Sequence, residues 1–304
     1  MTMDVAVTGS SGLIGSALRP ALEAAGHRVL RLVRPASGGG GPDTIRWDPP
    51  AGTIDAGGLE GVGAVVNLAG EGIGDKRWND AQKALILNSR VKGTTLLAET
   101  LAKLAHPPRV LVSGSAVDIY RSRVDEPITE DTPADDPGFL GEVCRAWEAA
   151  TAPAEAAGIR VAHLRTGIVL SPHGGALKKM ILPFKGGLGG RMGSGRQWMS
   201  WIAIDDEVGA IVHLLGEDAP SGPVNATAPN PVTNAEFTRV LAGVFRRPAL
   251  MPLPAAALRL ALGAQMAEEL VLSGQRVLPG RLEASGYTFR APDLEQALKQ
   301  LVAS

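Results

Sequence analysis

Val5-Ala6-Val7-Thr8-Gly9-Ser10-Ser11-Gly12-Leu13-Ile14-Gly15 is the stretch from which the rest of the chain is read. Val5 to Thr8 is a short apolar run, the pattern of a strand covered on both faces in a parallel sheet. Gly9 lets the chain leave that strand sharply. Gly12 lets a pyrophosphate approach the backbone, and Gly15 lets the next helix pack close to the sheet. The free N–H groups and positive end of that helix favour an anion. Leu13, Leu18, Leu22 and Ala25 make its apolar stripe, and Gly26 stops it. Val29 to Val33 then supplies a second strand. A glycine pattern alone also fits a plain structural turn, but strand, turn, helix and strand in this order read as a dinucleotide cradle lined by Gly9, Ser10, Ser11, Gly12, Leu13, Ile14 and Gly15.

The second strand ends at Arg34, about twenty residues past the glycine turn, where the ribose selector is expected. An acidic residue there would accept from the ribose hydroxyls, whereas an arginine favours a 2′-phosphate. Arg34 therefore selects NADP over NAD, against the plainer reading of a solvated arginine at a strand end.

Bulk properties exclude several classes. The chain has 304 residues, enough for one large domain or a core domain with a smaller lobe. Its formal net charge is −1 and only 4% of residues are aromatic, so the totals make no case for nucleic acid or an anionic membrane. No apolar run is long enough to span a bilayer. Cys144 is the one cysteine, which fits a reducing compartment. Met1 leads almost directly into the first strand, and a cytoplasmic protein is expected.

Strands and helices then alternate. Pro35 to Pro42 is a glycine-rich loop, and Thr44 to Ile54, with Trp47, is a strand with an edge turn. Ala64 to Asn67 is a buried strand whose carboxyl end, Leu68-Ala69-Gly70, leaves room for a ligand. Asn79 caps a helix running to about Ala105 that carries Arg90. Arg109 to Ala116, Gly138 to Ala157 and Ile159 to Arg165 read as strand, helix and strand, with Asp118, Ile119 and Tyr120 in a loop. The acidic, proline-rich stretch from Asp125 to Pro137 reads as irregular. The alternation predicts an α/β fold of Rossmann type, a doubly wound and mostly parallel sheet.

The order of motifs resembles the extended short-chain dehydrogenase/reductase superfamily, and within it an atypical epimerase-like branch with a small C-terminal domain of unknown function. The resemblance rests on the glycine turn, Asn67-Leu68-Ala69-Gly70-Glu71, Lys76-Arg77-Trp78, Ser89-Arg90, Trp147-Glu148, Leu164 to Leu170, Trp198 to Asp206, Asn225 to Phe237 and Ser273 to Pro279. It spans essentially the whole chain. It implies NADP(H) held by the glycine turn, Arg34, Leu68, Ala69, Gly70 and Arg90, with Ile168 near the nicotinamide.

One departure matters. The superfamily's chemistry usually needs a tyrosine, a lysine four residues later and an upstream serine. Counted from Glu148, the tyrosine and lysine places hold Leu140 and Cys144, and neither replaces the lost acid–base or cationic role. Cys144 reads as a small core residue. Ser115 matches the serine place, and Tyr120 is the nearest phenol. Ser115 and Tyr120 are thus the candidate catalytic pair, and Tyr120 has packing as its plainer reading. Lys76 and Arg77 are a further source of positive charge or a solvated face.

In the second half, residues 176–184 look helical. The glycine-rich stretch to Gly195 carries Arg191 and precedes Arg196, an anion-accepting loop or a bare one. Gln197 to Ile204 reads as a strand with Trp198 and Trp201 bordering a pocket or packing in the core, and Asp205 as the cap of the next helix. Thr233 and Glu236 form a capping box. From Pro248 onward the pattern changes to short helices at 255–262, 267–272 and 293–302. The expected organisation is a cofactor-binding domain over 1–247 and a small helical lobe over 248–304. No metal-ligand spacing, internal repeat or nucleophile elbow occurs. The expected activity is that of an oxidoreductase or epimerase exchanging hydride with an unknown small carbonyl or hydroxyl compound, and the rival is a non-catalytic NADP(H) sensor or scaffold. A sugar-nucleotide epimerase proper is a third reading, which the absent phenol–ammonium pair weakens.

Overall fold

The computed structural model describes residues 2–35, 40–123 and 125–303. Met1 and residues 36–39 of the expected glycine-rich loop lie outside them. The chain opens as β1 (Asp4–Thr8), α1 (Leu13–Ala24), β2 (Arg28–Val33), β3 (Thr44–Asp48), β4 (Thr53–Ile54), β5 (Ala64–Asn67), α2 (Asp80–Leu101) and β6 (Val110–Ala116). It continues through β7 (Pro127–Ile128), α3 (Phe139–Ala149), α4 (Ala152–Ala156), β8 (Arg160–Thr166), β9 (Ile168–Leu170) and α5 (Gly175–Lys185). Then come β10 (Trp198–Met199), β11 (Trp201–Ala203), α6 (Ile204–Leu214), β12 (Gly222–Ala226), β13 (Val232–Thr233) and α7 (Asn234–Phe245).

Eight strands form one sheet in the order β12-β8-β6-β5-β1-β2-β3-β4. Its neighbours run parallel except for β3 and β4. From β1 the chain moves outward to β2 and β3, then crosses back to β5 and onward to β12. The order therefore reverses between β1 and β5, and the crevice beyond their carboxyl ends is where such sheets take ligands. The glycine turn leaves β1 at that point.

Alternation along the strands divides the core in two. Val5, Val7, Val66, Val112 and Leu164 face one layer, with Leu18 and Leu22 of α1. Ala6, Val65, Leu111 and Val161 face the other, with Leu97 and Leu101 of α2. That period of two, buried on both faces, is why the strands read as unbroken apolar runs. Asn79 caps α2 as expected, its side chain accepting from Gln82 N at 2.8 Å.

Several elements differ from the sequence reading. The helix expected over 138–157 breaks after Ala149, because Pro153 cannot donate into a continuing helix and instead starts α4 from Thr151. The strand expected over 197–204 is two short strands in different sheets: β10 pairs antiparallel with β13 and β11 parallel with β9. Helix α6 begins at Ile204 with Ala203 before it, so Asp205 sits in the first turn rather than capping it. Within the acidic stretch, β7 pairs with β14 (Arg276–Val277).

The C-terminal segment is helical: α8 (Ala255–Leu262), α9 (Ala264–Ala267), a wider π-helical turn at Glu268–Leu272, α10 (Gly280–Ala284) and α11 (Leu294–Ala303). It shares the main core, since Leu282, Leu294 and Leu298 are buried in the same cluster as β1 and β8. Asp206, fully buried in α6, accepts from the backbone N–H of Arg290 at 2.7 Å and of Ala291 at 3.0 Å. Two backbone donors on one carboxylate tie this segment to α6.

Candidate functional site

At the end of β1, Gly9 adopts φ +64°, a left-handed conformation that side chains resist. A Cβ on Gly9 would lie 2.7 Å from the Leu68 carbonyl, and one on Gly15 would strike the Gly9 carbonyl oxygen. These two glycines let the β1–α1 turn sit on the β5 loop and the helix sit on the turn. Gly12 differs: a Cβ there would meet only the Gly9 oxygen, at 3.2 Å, so the space beyond is open. Gly12 starts α1 with no side-chain cap and no acidic residue in the first turn. The first N–H groups of α1 therefore face that space without a side-chain acceptor among the described residues, the arrangement that receives a phosphate.

A buried polar chain holds the neighbouring loop. Thr8 Oγ1 accepts from Leu68 N at 3.0 Å and Ala69 N at 3.1 Å, and donates to Asn67 Oδ1 at 2.7 Å. Asn67 Nδ2 donates to Thr94 Oγ1 at 2.9 Å, which also accepts from Trp147 Nε1 at 3.0 Å. Four elements, β1, β5, α2 and α3, are thus tied around the crevice. Arg90 reaches Gly70 from α2, its guanidinium over the Trp147 ring at 4.9 Å, with Nη1 donating to the Glu71 carbonyl at 2.9 Å. Burial lowers its pKa, although the nearby Glu71 carboxylate opposes the shift. Among the described residues no carboxylate lies within ion-pair distance of Arg90 or Arg34, and Arg34 stands exposed just past β2. Ile168 is half-buried in β9, donating its N–H to the Ser200 carbonyl at 2.7 Å.

The candidate catalytic pair lies in a different setting. Ser115, Arg165 and Asn225 stand side by side across β6, β8 and β12. Ser115 Oγ donates to Glu148 Oε1 at 2.7 Å. Arg165 grips the same carboxylate with Nε and Nη2, each at 2.8 Å. Its Nη1 donates to the Tyr120 hydroxyl at 2.7 Å, and that hydroxyl donates to Asn225 Oδ1 at 2.8 Å. Tyr120 is fully buried, and burial pushes its phenol up, with Arg165 offsetting part of that shift. Arg165 loses affinity for its proton through burial and regains more from Glu148, so its pKa is raised. The Tyr120 proton is therefore committed to Asn225 and the Ser115 proton to Glu148. Sequence reading flagged Glu148, Arg165 and Asn225 as motif residues without finding this network. Their shared register is the signal that joins them.

Leu140 and Cys144 are both buried on α3, and Cys144 sits in an apolar cluster with Val117, Ile119 and Ile128. Burial pushes its thiol up, so it stays protonated. Facing it, from the short turn Val117–Ile119, is Asp118. Asp118 is crowded on nearly every side yet still reached by solvent, and burial, reinforced by Asp136 and Glu269, pushes its carboxyl up to about 6. Glu207, in the first turn of α6, is fully buried. Its Oε1 accepts from Thr166 Oγ1 at 2.9 Å while Oε2 has no partner, and burial pushes the carboxyl up to about 8.

Other expected features fall into place around these. Trp201 is a core residue whose Nε1 donates to the Asn230 carbonyl at 3.1 Å, while Trp198 lies half-buried under Arg276. Lys76 and Arg77 are exposed. A shallow depression lined by Arg109, Arg160 and Glu217 sits at the opposite ends of β6 and β8, far from the crevice, and its Arg109–Glu217 pair is already satisfied. No group of three or more metal-ligating side chains suited to an ion occurs among the described residues.

The model of the NAD-dependent epimerase/dehydratase family matches residues 5–226, and that of a domain of unknown function, DUF1731, matches 253–301. The epimerase family protein Mb2239 of Mycobacterium bovis is 45% identical over 294 residues, 97% of this chain and 96% of that protein. The human epimerase family protein SDR39U1 is 39% identical over 304 residues, 99% of this chain and all of its own length. The crystal structure of human SDR39U1 (isoform 2) with NADPH matches at a TM-score of 0.90 and 37% identity, covering 99% of each chain.

Proposed function

Since the chain belongs to the NAD-dependent epimerase/dehydratase family, we propose that it binds NADP(H) and uses it for hydride exchange with a small carbonyl or hydroxyl compound. The observation that carries this reading is the open, uncapped start of α1 at Gly12, with Arg90 against Gly70 of the adjoining loop and Arg34 exposed just past the neighbouring strand β2, neither within ion-pair distance of a carboxylate among the described residues. The first N–H groups of α1 take the pyrophosphate, Arg34 the 2′-phosphate, and Arg90 a further anionic or ribose oxygen beside Gly70. NADPH bound there supplies a hydride.

In this reading Ser115 and Tyr120 act as scaffold, because each hydroxyl hydrogen is already given to an acceptor held within the network. Asp118 is the residue suited to hold a proton for the substrate oxygen. Its pKa, at about 6, leaves a useful fraction of acid near neutral pH. It faces the stretch of α3 where Leu140 and Cys144 replace the family's phenol and ammonium. No described helix is long and apolar enough to cross a membrane, and a cytoplasmic location completes the reading.

The test is NADPH oxidation over a broad panel of aldehydes and ketones, with Asp118→Asn as the control. Turnover that falls at least tenfold in the variant while NADPH binding is retained supports the assignment. The rival reading, a non-catalytic NADP(H) sensor, is favoured by the locked Ser115 and Tyr120. NADPH binding without turnover of any panel member would select it.

A further inference from the structure

Seven large apolar side chains stand exposed among the described residues, and six of them, Leu182, Leu188, Leu250, Met251, Leu253 and Leu260, fall in two short spans. Those spans are one surface. Met251 N donates to the Gly189 carbonyl at 3.2 Å, Leu253 N to the Arg191 carbonyl at 2.9 Å, and Gly193 N to the Leu253 carbonyl at 2.9 Å. The Lys185 ammonium lies 5.7 Å from the Phe245 ring, joining the ends of α5 and α7. The glycine-rich loop is therefore pinned under the 248–254 segment. Helix α8 continues this surface with the sequence Ala-Ala-Ala-Leu-Arg-Leu-Ala-Leu, and none of its eight residues is buried. An apolar helix without a buried face calls for a partner.

The charge is equally uneven. Residues 171–204 carry five Lys or Arg and no Asp or Glu, and residues 237–267 carry four Arg and no Asp or Glu. Nine of the chain's 30 cations thus meet none of its 31 carboxylates within these spans. Arg239 pairs with Glu236 and Arg259 with Glu268. The other seven, Lys185, Arg191, Arg246 and Arg247 among them, have no carboxylate partner among the described residues and are exposed. The net charge of −1 averages this asymmetry away.

We infer that this face, α8 with the 182–191 and 246–253 segments, adsorbs to the surface of an anionic lipid bilayer. Leucines enter the boundary between headgroups and acyl chains, and the surrounding lysines and arginines meet lipid phosphates. A second copy of the chain is disfavoured as occupant, because a two-fold contact would set this predominantly cationic face against itself, and Glu268, the carboxylate that reaches α8, is already paired with Arg259. Adsorption requires no spanning helix, and none is present among the described residues.

The experiment is co-sedimentation of the full chain with vesicles of phosphatidylcholine alone and of phosphatidylcholine with phosphatidylglycerol. Binding to the anionic vesicles only, weakening as salt rises, is the expected result. Arg246→Glu with Arg247→Glu should weaken it by roughly tenfold or more. Leu250→Ser with Leu260→Ser should do the same. Both pairs lie outside the cofactor crevice, so unchanged NADPH binding certifies that each variant is folded. No binding to anionic vesicles at low salt overturns the inference, as does equal binding to both compositions. A self-associated state abolished by Leu260→Ser assigns the face to a second copy, and vesicle binding that ignores the leucine pair overturns insertion of this apolar face.

Discussion

Replacing Glu207 with glutamine separates the cost of burying a carboxyl from the cost of charging it. The glutamine keeps the shape and still accepts from Thr166, whose hydroxyl lies 2.9 Å from Glu207 Oε1. In the fold the carboxyl holds its proton up to about 8, against an ordinary value of 4.5. A carboxyl raised in this way contributes stability that is complete below 4.5 and is lost as pH rises through 8. At about 1.4 kcal/mol per pH unit, the loss between pH 5 and pH 8 is about 3 to 4 kcal/mol as an upper limit. Glu207 is fully buried, so solvent screening discounts this little. The assay is urea unfolding at pH 5, 6, 7 and 8, read as wild type minus variant so that other titrating groups cancel. The wild type should lose ground to Glu207→Gln steadily across that range, and the variant should be the more stable at pH 8. Parallel curves from pH 5 to pH 8 refute the reasoning and place the charged carboxylate in a solvated or paired environment.

Three further outcomes follow from the geometry. Gly9→Ala forces an alanine to φ +64° against the Leu68 carbonyl, which costs at least about 1 to 2 kcal/mol in chemical denaturation and weakens NADPH binding at the same time. Arg165→Met leaves the largely enclosed Glu148 without its bidentate partner and should cost up to about 3 to 5 kcal/mol, and adding Glu148→Leu should restore much of it, a pattern that a double-mutant cycle detects. Asp118, with its carboxyl near 6 rather than 3.8, favours the fold below 3.8 and loses that contribution as pH rises through 6. Asp118→Asn should therefore abolish one ionisation near pH 6 from the pH profile of kcat/KM for carbonyl reduction.

The glycine cradle was readable in the sequence because it is local. A strand, three glycines and a helix start within eleven residues, and each glycine answers to one nearby contact. The position of Arg34, just past the adjacent strand, was readable for the same reason. The network of Ser115, Glu148, Arg165, Tyr120 and Asn225 was not, since it depends on the register of β6, β8 and β12, which are distant in sequence. Tyr120 looked available as a loop phenol. Only the packing of Cys144, Ile128 and Val277 around it, with Asn225 as acceptor, shows where its proton goes. The break in the helix over 138–157 was written in Pro153 and outweighed by the apolar spacing on either side. The C-terminal segment read as a lobe because its helices are short, yet Asp206 and the buried Leu282, Leu294 and Leu298 join it to the main core.

The proposed cofactor chemistry depends on a phosphate cradle at the start of α1 that prefers the nucleotide carrying a 2′-phosphate. Calorimetric titration of the purified chain with NADPH and with NADH, repeated on Arg34→Glu, tests it most directly. The account predicts NADPH bound roughly tenfold or more tightly than NADH, the worth of one charge-assisted contact, with that preference lost in the variant. Failure to bind either nucleotide, or tighter binding of NADH by the wild type, contradicts it.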